Sequence, residues 1–474
     1  MREKIIGRVD EQDLLKRLYD SPKSEFVAVY GRRRVGKTFL IKEFFQDELL
    51  FSVSGLSNAG TESQIKNFYT AMLRQGLESS IPPKDWLDVF NLLADLIESS
   101  RAKRKVVLLD ELPWMDTPKS GFVTALEHFW NDFASGRSDI LLLVCGSATS
   151  WIINKLINNH GGLHNRLTRH IFLQPFTLKE SEEMLARQGF NLSRYEVAVC
   201  YMVFGGIPFY LSLLDSRYSL AQNIDKLLFN PKGELALEFE NLYASLFRNA
   251  EEHISVVRAL SRRKSGLDRT EILKACKLKT GNGITTILNN LQNCGFITQY
   301  RCIDNGRKRN YYRLSDFFTL FYFYFEEEIR NRKKDFWLKL QTTPKFGAWA
   351  GLTYEQLVFS HIDRVKEKLG ISGVGTNEFS YRTLEDDGYP GVQIDLVIER
   401  DDRTINLCEI KFCEDIYVLD SAEDMRLRTR LSVFKKNYPK RKYAMQLTLI
   451  TTFGLANGKY AGIVNNQVLL EDLF

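Results

Sequence analysis

A run near the amino terminus carries residue types that bind phosphate. Residues 31–38 read Gly-Arg-Arg-Arg-Val-Gly-Lys-Thr and fit the pattern G-x-x-x-x-G-K-[ST], between an apolar run and a helix-like stretch. In that context backbone amides and a helix N-terminus face a phosphate, Lys37 reaches the β and γ oxygens, and the Thr38 hydroxyl ligates Mg²⁺. The sequence therefore predicts a nucleoside-triphosphate site formed by Gly31, Arg32, Arg33, Arg34, Val35, Gly36, Lys37, Thr38 and Phe39.

Two further apolar runs end in polar residues that suit the same chemistry. Residues 106–109 lead into Asp110 and Glu111, which predicts that Asp110 joins the Mg²⁺ shell and that Glu111 polarises the attacking water. Residues 141–145 lead into Gly146 and Ser147, and ligands of open α/β sheets bind at such strand ends. Ser147 is accordingly predicted to sense the γ-phosphate. The alternatives are an acidic turn after the first run and an ordinary serine turn or cap after the second.

A second constellation lies near the carboxyl terminus. In residues 392–398 the two-residue period places Gln393 and Asp395 on one face, and in residues 407–412 it places Glu409 and Lys411 on one face. The two runs can pair as a hairpin, which would make Asp395, Glu409 and Lys411 converge. Two carboxylates could then hold a divalent metal while the lysine orients or deprotonates a water. The alternative is an ordinary strand with one solvated face.

The elements that must position these residues follow from the patterning. Residues 5–230 alternate short β-like runs with helical stretches, which is typical of a parallel sheet covered by helices. Residues 235–314 change to amphipathic helices followed by two β-like runs around Asn305-Gly306, a hairpin turn signal that suggests a winged helix. Residues 350–474 read helix, strands, helix and strand.

The middle region offers two interpretations. Its predicted wing, residues 301–313, is basic and could contact nucleic-acid phosphates. Its predicted recognition helix, residues 284–291, contains no Arg or Lys, which is unfavourable for reading bases. DNA binding and a structural spacer or intramolecular lid therefore both stay open.

Composition narrows the class of protein. The chain has 474 residues, of which 44% are hydrophobic and 26% charged, and 65 basic against 59 acidic side chains leave a net charge of +6. These values are ordinary for a multidomain globular chain. The seven cysteines show no CxxC spacing, so reduced core thiols are expected. No apolar run reaches the roughly 20 residues that span a bilayer, and we expect a cytoplasmic protein.

With these motifs, nearly the whole chain resembles the archaeal and bacterial ATPases of the AAA+ and STAND kind. The resemblance implies that Ile6, Gly7 and Arg8 pack on the adenine and that Pro208, in Gly-Gly-Ile-Pro at 205–208, lies near the base. It also implies that Arg166 reaches the γ-phosphate, although Asn165 stands where a glycine is usual. From the residues alone, Arg166 could equally be a solvated side chain.

The carboxyl-terminal cluster resembles the PD-(D/E)XK nuclease fold. The resemblance adds Glu355, on an upstream helical stretch, as a further metal ligand. The sequence departs from that family at Ile394, which stands where a proline is usual before Asp395.

The predicted fold class is α/β: a parallel-sheet P-loop NTPase with a helical lid, a winged helix and a restriction-endonuclease-like domain. The predicted domains are 1–175, 176–235, 236–335 and 345–474. Predicted catalytic residues are Lys37, Glu111, Arg166 and Lys411. Predicted metal ligands are Thr38, Asp110, Glu355, Asp395 and Glu409.

The leading functional hypothesis is an ATP-hydrolysing switch. It would bind ATP with Mg²⁺, associate with DNA, and hold a second Mg²⁺ or Mn²⁺ at a nuclease-like C-terminus. A homo-oligomer or a protein partner is possible. The alternative is a regulatory scaffold whose C-terminal domain binds a partner without cleaving.

Overall fold

The chain forms two compact units. The computed structural model describes residues 5–474 except 80, 159–164, 248, 264, 279–280, 305, 385–390 and 439–441. The first unit comprises Met1–Pro175 with Ile207–Phe209, and the second comprises Phe176–Gly206 with Tyr210–Phe474.

The first unit is built on five parallel strands. They are β1 Glu25–Tyr30, β2 Leu49–Ser54, β3 Lys105–Asp110, β4 Ile140–Gly146 and β5 Arg169–Phe172, in the order β2-β3-β4-β1-β5. The helices are α1 Val9–Tyr19, α2 Lys37–Phe45, α3 Thr61–Arg74, α4 Trp86–Ser99, α5 Leu112–Met115, α6 Phe122–His128 and α7 Thr149–Ile152. A 3₁₀ turn, Gln46–Glu48, and π-helical turns, Phe129–Ala134 and Ile153–Ile157, extend three of them.

Burial explains why this sheet is parallel and central. Every residue of β1, β3 and β4 is buried, as expected of strands covered by helices on both faces. In register, Tyr30 pairs with Gly146, and Leu109 pairs with Val144. The carboxyl ends of the three strands therefore meet at one edge, which confirms the α/β prediction and gathers the predicted nucleotide residues there.

The second unit begins with helices whose first residues are capped as the sequence indicates. Thr177 and Glu180 form a capping box at the start of the first helix, and Gly205, with a φ of 69°, ends the next one. The helices are α8 Leu178–Arg187, α9 Arg194–Phe204, α10 Pro208–Ser212, α11 Leu220–Ile224, α12 Glu238–Leu246, α13 Ala250–Ser261, α14 Arg269–Cys276, α15 Asn282–Asn293, α16 Phe317–Tyr324, α17 Glu326–Arg330, α18 Phe336–Leu340, α19 Pro344–Ser360, α20 Ile362–Lys368 and α21 Ser421–Asn437. Helix α10 starts at residues of the first unit.

An eight-stranded sheet organises the rest of the second unit. Its strands are β6 Leu267–Asp268, β7 Ile297–Asp304, β8 Arg307–Leu314, β9 Thr376–Thr383, β10 Val392–Arg400, β11 Thr404–Lys411, β12 Ala444–Thr451 and β13 Asn466–Leu469. Their order is β13-β12-β11-β10-β9-β7-β8-β6. A π-helical turn, Asp225–Phe229, and 3₁₀ turns, Ala461–Ile463 and Leu470–Leu473, complete the unit.

Two predicted hairpins are present in this sheet. Strands β10 and β11 pair antiparallel, and so do β7 and β8. Asn305, which belongs to the predicted turn between β7 and β8, lies outside the described residues. The sequence did not indicate that β7 pairs in parallel with β9, through Cys302 and Ser380 among others. This pairing joins the predicted middle and C-terminal regions in one sheet, and the predicted domain bounds stay a prediction.

Aromatic side chains fill much of the second unit's interior. Trp337 and Trp349 lie with ring centroids 5.1 Å apart and contact the same three phenylalanines, Phe321, Phe325 and Phe346. Helix α16, six of whose eight residues are buried, is thus a core helix. Among the described residues, every helix is too short or too polar to cross a lipid bilayer.

Candidate functional site

The loop between β1 and α2 adopts a conformation that its glycines make possible. Gly31 has a φ of 143°, and a Cβ there would lie 2.4 Å from the carbonyl oxygen of Leu173. Gly36 and Arg34 have φ values of 89° and 72°, so the loop turns back on itself before α2 begins at Lys37. The loop therefore presents backbone amides and a helix N-terminus to one small volume.

Lys37 is held inside this loop. Its side chain is buried, and Nζ donates to the carbonyl oxygens of Gly31 at 3.0 Å and Arg32 at 2.9 Å. A lysine on a flexible stem acts as a compact charge, and these two bonds fix that charge within the loop. The loop thus fixes the position of the ammonium that is predicted to reach the β and γ oxygens of a nucleotide.

Thr38 and Asp110 meet across the sheet edge. The Thr38 hydroxyl lies 3.0 and 3.1 Å from the two Asp110 carboxylate oxygens. A hydroxyl and a carboxylate are oxygen donors of the kind that Mg²⁺ takes, so the pair fits that ion. The backbone amide of Glu111 also donates to Asp110, at 3.0 Å, which helps to fix the carboxylate.

Glu111 and Ser147 form the second pair at this edge. The amide and the hydroxyl of Ser147 lie 3.1 and 3.0 Å from the same Glu111 carboxylate oxygen. Glu111 has a left-handed backbone with a φ of 47°, a conformation that costs energy in a residue other than glycine. The strain and the paired hydrogen bonds orient one carboxylate.

The predicted adenine residues also lie beside the loop. A guanidinium nitrogen of Arg8 donates to the carbonyl oxygen of Val35 at 3.3 Å. Arg34 stacks on the ring of Phe209, which follows Pro208, at 4.1 Å from the ring centroid. Ile6 and Gly7 directly precede Arg8 and are half-buried, whereas Phe39 is exposed on α2. The predicted box, the loop and Pro208–Phe209 thus belong to one neighbourhood.

Arg166 is an exposed side chain shortly before β5. It follows directly on Asn165, which has a left-handed φ of 55°. Its predicted role at the γ-phosphate stays a prediction.

In the second unit, Glu355 of α19 and Asp395 of β10 line one small cavity. The cavity measures about 30 Å³, and Arg313 of β8 lines it as well. Gln393 donates to an Asp395 carboxylate oxygen at 2.7 Å. Two of the predicted metal ligands therefore line one cavity together with two arginines, Arg313 and Arg382.

Glu409 lies on the neighbouring strand and is surrounded by cations. Leu396 pairs with Cys408, so the register continued by one residue sets Asp395 across from Glu409. Nitrogens of Lys411 and Arg426 both lie 3.1 Å from one Glu409 oxygen, and Arg430 binds the other. The buried Glu409 carboxylate is thus compensated by three basic side chains of its own unit.

These contacts differ from the predicted metal site. Within the described ranges, no group of three or more His, Cys, Asp or Glu is placed to hold a metal ion. Glu355, Asp395 and Glu409 do not form one open set of ligands, because Glu409 is already paired with Lys411, Arg426 and Arg430, and arginines line the cavity of Glu355 and Asp395. The residues as arranged do not fit a divalent ion.

A comparison with known protein families covers the first unit and the start of the second. Residues 6–214 match the model of a family described as an ATPase domain predominantly from Archaea. This region is therefore similar to an ATPase domain of that family. The roles of the loop, Asp110 and Glu111 stay predictions.

Three known proteins resemble the chain. An uncharacterized protein of Methanocaldococcus jannaschii is 21% identical over 476 residues, which cover 99% of both chains. An uncharacterized ATP-binding protein of the same organism is 42% identical over 44 residues, 9% of this chain and 75% of the relative. A Walker-type ATPase of Pyrococcus abyssi has 17% identity and a TM-score of 0.52, covering 69% of this chain and 97% of that one, which shows a shared fold.

Sequence reasoning missed one residue beside the predicted nucleotide site. The thiol of Cys145 lies 2.6 Å from an Asp110 carboxylate oxygen, and burial raises the pKa of that thiol. Cys145 therefore stays protonated and donates to Asp110. The only signal was its position, as the last buried residue before Gly146 on β4.

Proposed function

We propose that this chain is an ATP-hydrolysing switch whose nucleotide state controls a DNA-associated, nuclease-like second unit. The proposal of ATP hydrolysis rests on two hydrogen-bonded pairs of side chains near Lys37. Thr38 is paired with Asp110, and Glu111 is paired with Ser147. A loop that only binds phosphate needs no oriented carboxylate facing the γ position. The Glu111–Ser147 pair therefore favours hydrolysis over binding alone.

Each residue has a role that follows from its position. The loop amides and Lys37 bind the β and γ phosphates, and Thr38 and Asp110 would hold Mg²⁺, which neutralises charge on the phosphates when bound. Glu111 orients the attacking water and accepts its proton. Ser147 donates two hydrogen bonds to Glu111, and we assign it to the position from which it senses the γ-phosphate.

The base would be held by groups at the side of the loop. Ile6, Gly7 and Arg8 lie there with Pro208 and Phe209, and Phe209 is a partly exposed ring suited to stacking. We assign Phe39, exposed on the first turn of α2, to the same neighbourhood. Arg166 is proposed as the cation that stabilises the γ-phosphate in the transition state.

The hydrolytic role is tested at Glu111 and Ser147. Glu111→Gln keeps the shape and the bonds to Ser147 but removes the charge, so kcat should fall roughly 100-fold or more while nucleotide affinity is retained. Ser147→Ala removes one hydrogen bond to a charged group, and kcat should fall about 10-fold. Phosphate release and nucleotide titration measure the two effects.

A matched serine provides the control. The Ser150 hydroxyl is buried three residues later, and none of the described residues is its hydrogen-bond partner. Ser150→Ala should leave kcat unchanged. Equal losses in Ser147→Ala and Ser150→Ala, or a fully active Glu111→Gln, would contradict the proposed roles.

The order of elements supports the proposal for the second unit. Helix α19 carries Glu355, β10 carries Asp395, β11 carries Glu409 and Lys411, and α21 then leads to β12, which pairs in parallel with β11. This is the order expected of the nuclease-like fold. Upstream, α13, β6, α14, α15 and the β7–β8 hairpin follow one another as in a winged helix.

Charge supports an association with DNA through the hairpin. Arg307, Lys308 and Arg309 are all exposed on β8 and could contact phosphates without reading bases. Helix α15 contains no Arg or Lys, so sequence-specific recognition by that helix is not part of the proposal. We therefore propose binding that weakens steeply with salt.

A scaffold that binds a partner without cleaving is the alternative. Nicking of supercoiled plasmid with Mg²⁺ or Mn²⁺, in at least one nucleotide state, separates the two. Asp401, an acidic residue in the β10–β11 turn, provides the control. Cleavage that is lost in Asp395→Asn and kept in Asp401→Asn would support nuclease activity. No cleavage in any state, with ATP turnover intact, would favour the scaffold.

A further inference from the structure

Arg313 differs from the other basic residues of its strand. Arg307, Lys308 and Arg309 face solvent, whereas the Arg313 guanidinium stacks on the ring of Phe359 at 3.5 Å from the centroid. A second ring, that of Tyr300, lies 4.9 Å away. Its Nε is buried and has no hydrogen-bond partner in the described part of the chain. A cation has thus been brought inward between two aromatic faces.

The stacking places this cation at the predicted carboxylates. Phe359 lies one helical turn after Glu355 on α19, so a guanidinium on its ring is next to the Glu355 side chain. Arg313, Glu355 and Asp395 line the same cavity. Burial lowers the pKa of Arg313 to about 10, which leaves it charged at neutral pH.

We propose that Arg313 is an internal counter-ion that occupies the place of a divalent cation and keeps the Glu355–Asp395 pair closed to metal. The inference rests on the proposed nuclease-like site and names how that site is regulated. Two carboxylates that line one small cavity are stabilised by positive charge nearby. Here the middle region supplies that charge through β8.

The size of the cavity supports the same conclusion. A volume of about 30 Å³ holds one or two water molecules. Mg²⁺ gives up its waters reluctantly and usually keeps several of them when it binds to protein carboxylates. A hydrated ion therefore enters only when the Arg313 side chain leaves.

Glu409 is likewise occupied by basic side chains. Arg426 and Arg430 of α21 and Lys411 of β11 hold both of its oxygens. These three cations belong to elements around Glu409 itself, whereas Arg313 comes from a hairpin earlier in the chain. Arg382 of β9 also lines the cavity and donates to the Tyr311 hydroxyl, so Arg313 is the cation there that the middle region supplies.

The test is a titration of the full chain with Mn²⁺, detected by electron paramagnetic resonance and calorimetry. An Asp110→Asn background without nucleotide removes metal binding at the ATPase domain. Arg313→Met keeps a long apolar side chain on Phe359 but removes the charge. Arg309→Met makes the same change on the same strand at an exposed position and serves as the control.

We expect the Arg313→Met variant to bind one Mn²⁺ at the Glu355–Asp395 pair. Its affinity for that ion should be at least ~10-fold higher than the affinity of the Asp110→Asn parent chain, in which Arg313 is unchanged. Arg309→Met should not show this gain, and adding Asp395→Asn to Arg313→Met should abolish the gain. No gain in Arg313→Met would overturn the inference. Tight binding of Mn²⁺ by the parent itself would also overturn it, and that measurement holds even if Arg313→Met does not fold.

Plasmid cleavage on the same samples separates this inference from the proposed function. A gain in Mn²⁺ affinity without cleavage supports the counter-ion and counts against a nuclease. Cleavage without any gain in Mn²⁺ affinity would contradict the counter-ion role of Arg313 and would still support nuclease activity.

Discussion

Lys37→Ala is expected to lower kcat/KM for ATP by roughly 10²- to 10³-fold, the effect of removing one fixed charge from a phosphoryl-transfer site. The ammonium is held by the carbonyl oxygens of Gly31 and Arg32, so its charge is positioned before nucleotide arrives. Nucleotide affinity should fall as well, because the same charge binds the ground state. Phosphate release and titration with a fluorescent ATP analogue measure the two effects.

Two further variants sharpen this prediction. Lys37→Arg should be almost as impaired, because a planar guanidinium cannot replace a compact ammonium in a buried loop. Lys42→Ala, an exposed lysine on the same helix, should turn over ATP like the wild type. Wild-type turnover in Lys37→Ala would remove the basis for placing the γ-phosphate in this loop.

Trp349→Ala is expected to destabilise the second unit by about 3–5 kcal/mol, the usual cost of truncating a large buried aromatic side chain. Trp349 is fully buried, and its ring contacts Phe321, Phe325, Trp337 and Phe346. Domains of 150–250 residues lose about 2–4 °C of Tm per kcal/mol, so on that scale the calorimetric transition of the second unit should move down by roughly 6–20 °C.

The indole nitrogen makes this prediction more specific. Trp349 Nε1 is buried, and no described residue accepts a hydrogen bond from it. Trp349→Phe should therefore cost much less than Trp349→Ala, because it keeps ring contacts and removes an unsatisfied donor. Leu338→Ala, at a partly exposed position on α18, should have little effect. A Tm for Trp349→Ala equal to the wild-type value would show that the aromatic cluster is not the core of this unit.

The meeting of the predicted nucleotide residues at one sheet edge could be predicted from the sequence because its signals are local. Lys37 and Thr38 lie in one short motif, and Asp110 and Ser147 stand at the ends of apolar runs that a parallel sheet must bring to one edge. Only the Cys145–Asp110 contact was missed, because a thiol in an apolar strand carries no distinct signal.

The C-terminal cluster was harder to predict for a physical reason. Strand alternation correctly placed Asp395 and Glu409 on polar faces, but it cannot say which cation will reach them. Arg313 comes from a hairpin far upstream and Arg430 from a later helix, so both contacts depend on tertiary packing. The pairing of β7 with β9 is non-local in the same way, so it could not be predicted from the sequence pattern of either strand.

That pairing also limits how the protein can be divided. A chain shortened to begin at Pro344 would lack β7, and β9 would then offer open backbone donors and acceptors to any other strand. Such an edge invites aggregation, and the shortened chain would also lose Arg313. The carboxyl-terminal strands therefore cannot be expected to fold in the same way when they are separated from β7. An activity that is lost or gained on truncation would be the property of an altered sheet and not of the full chain.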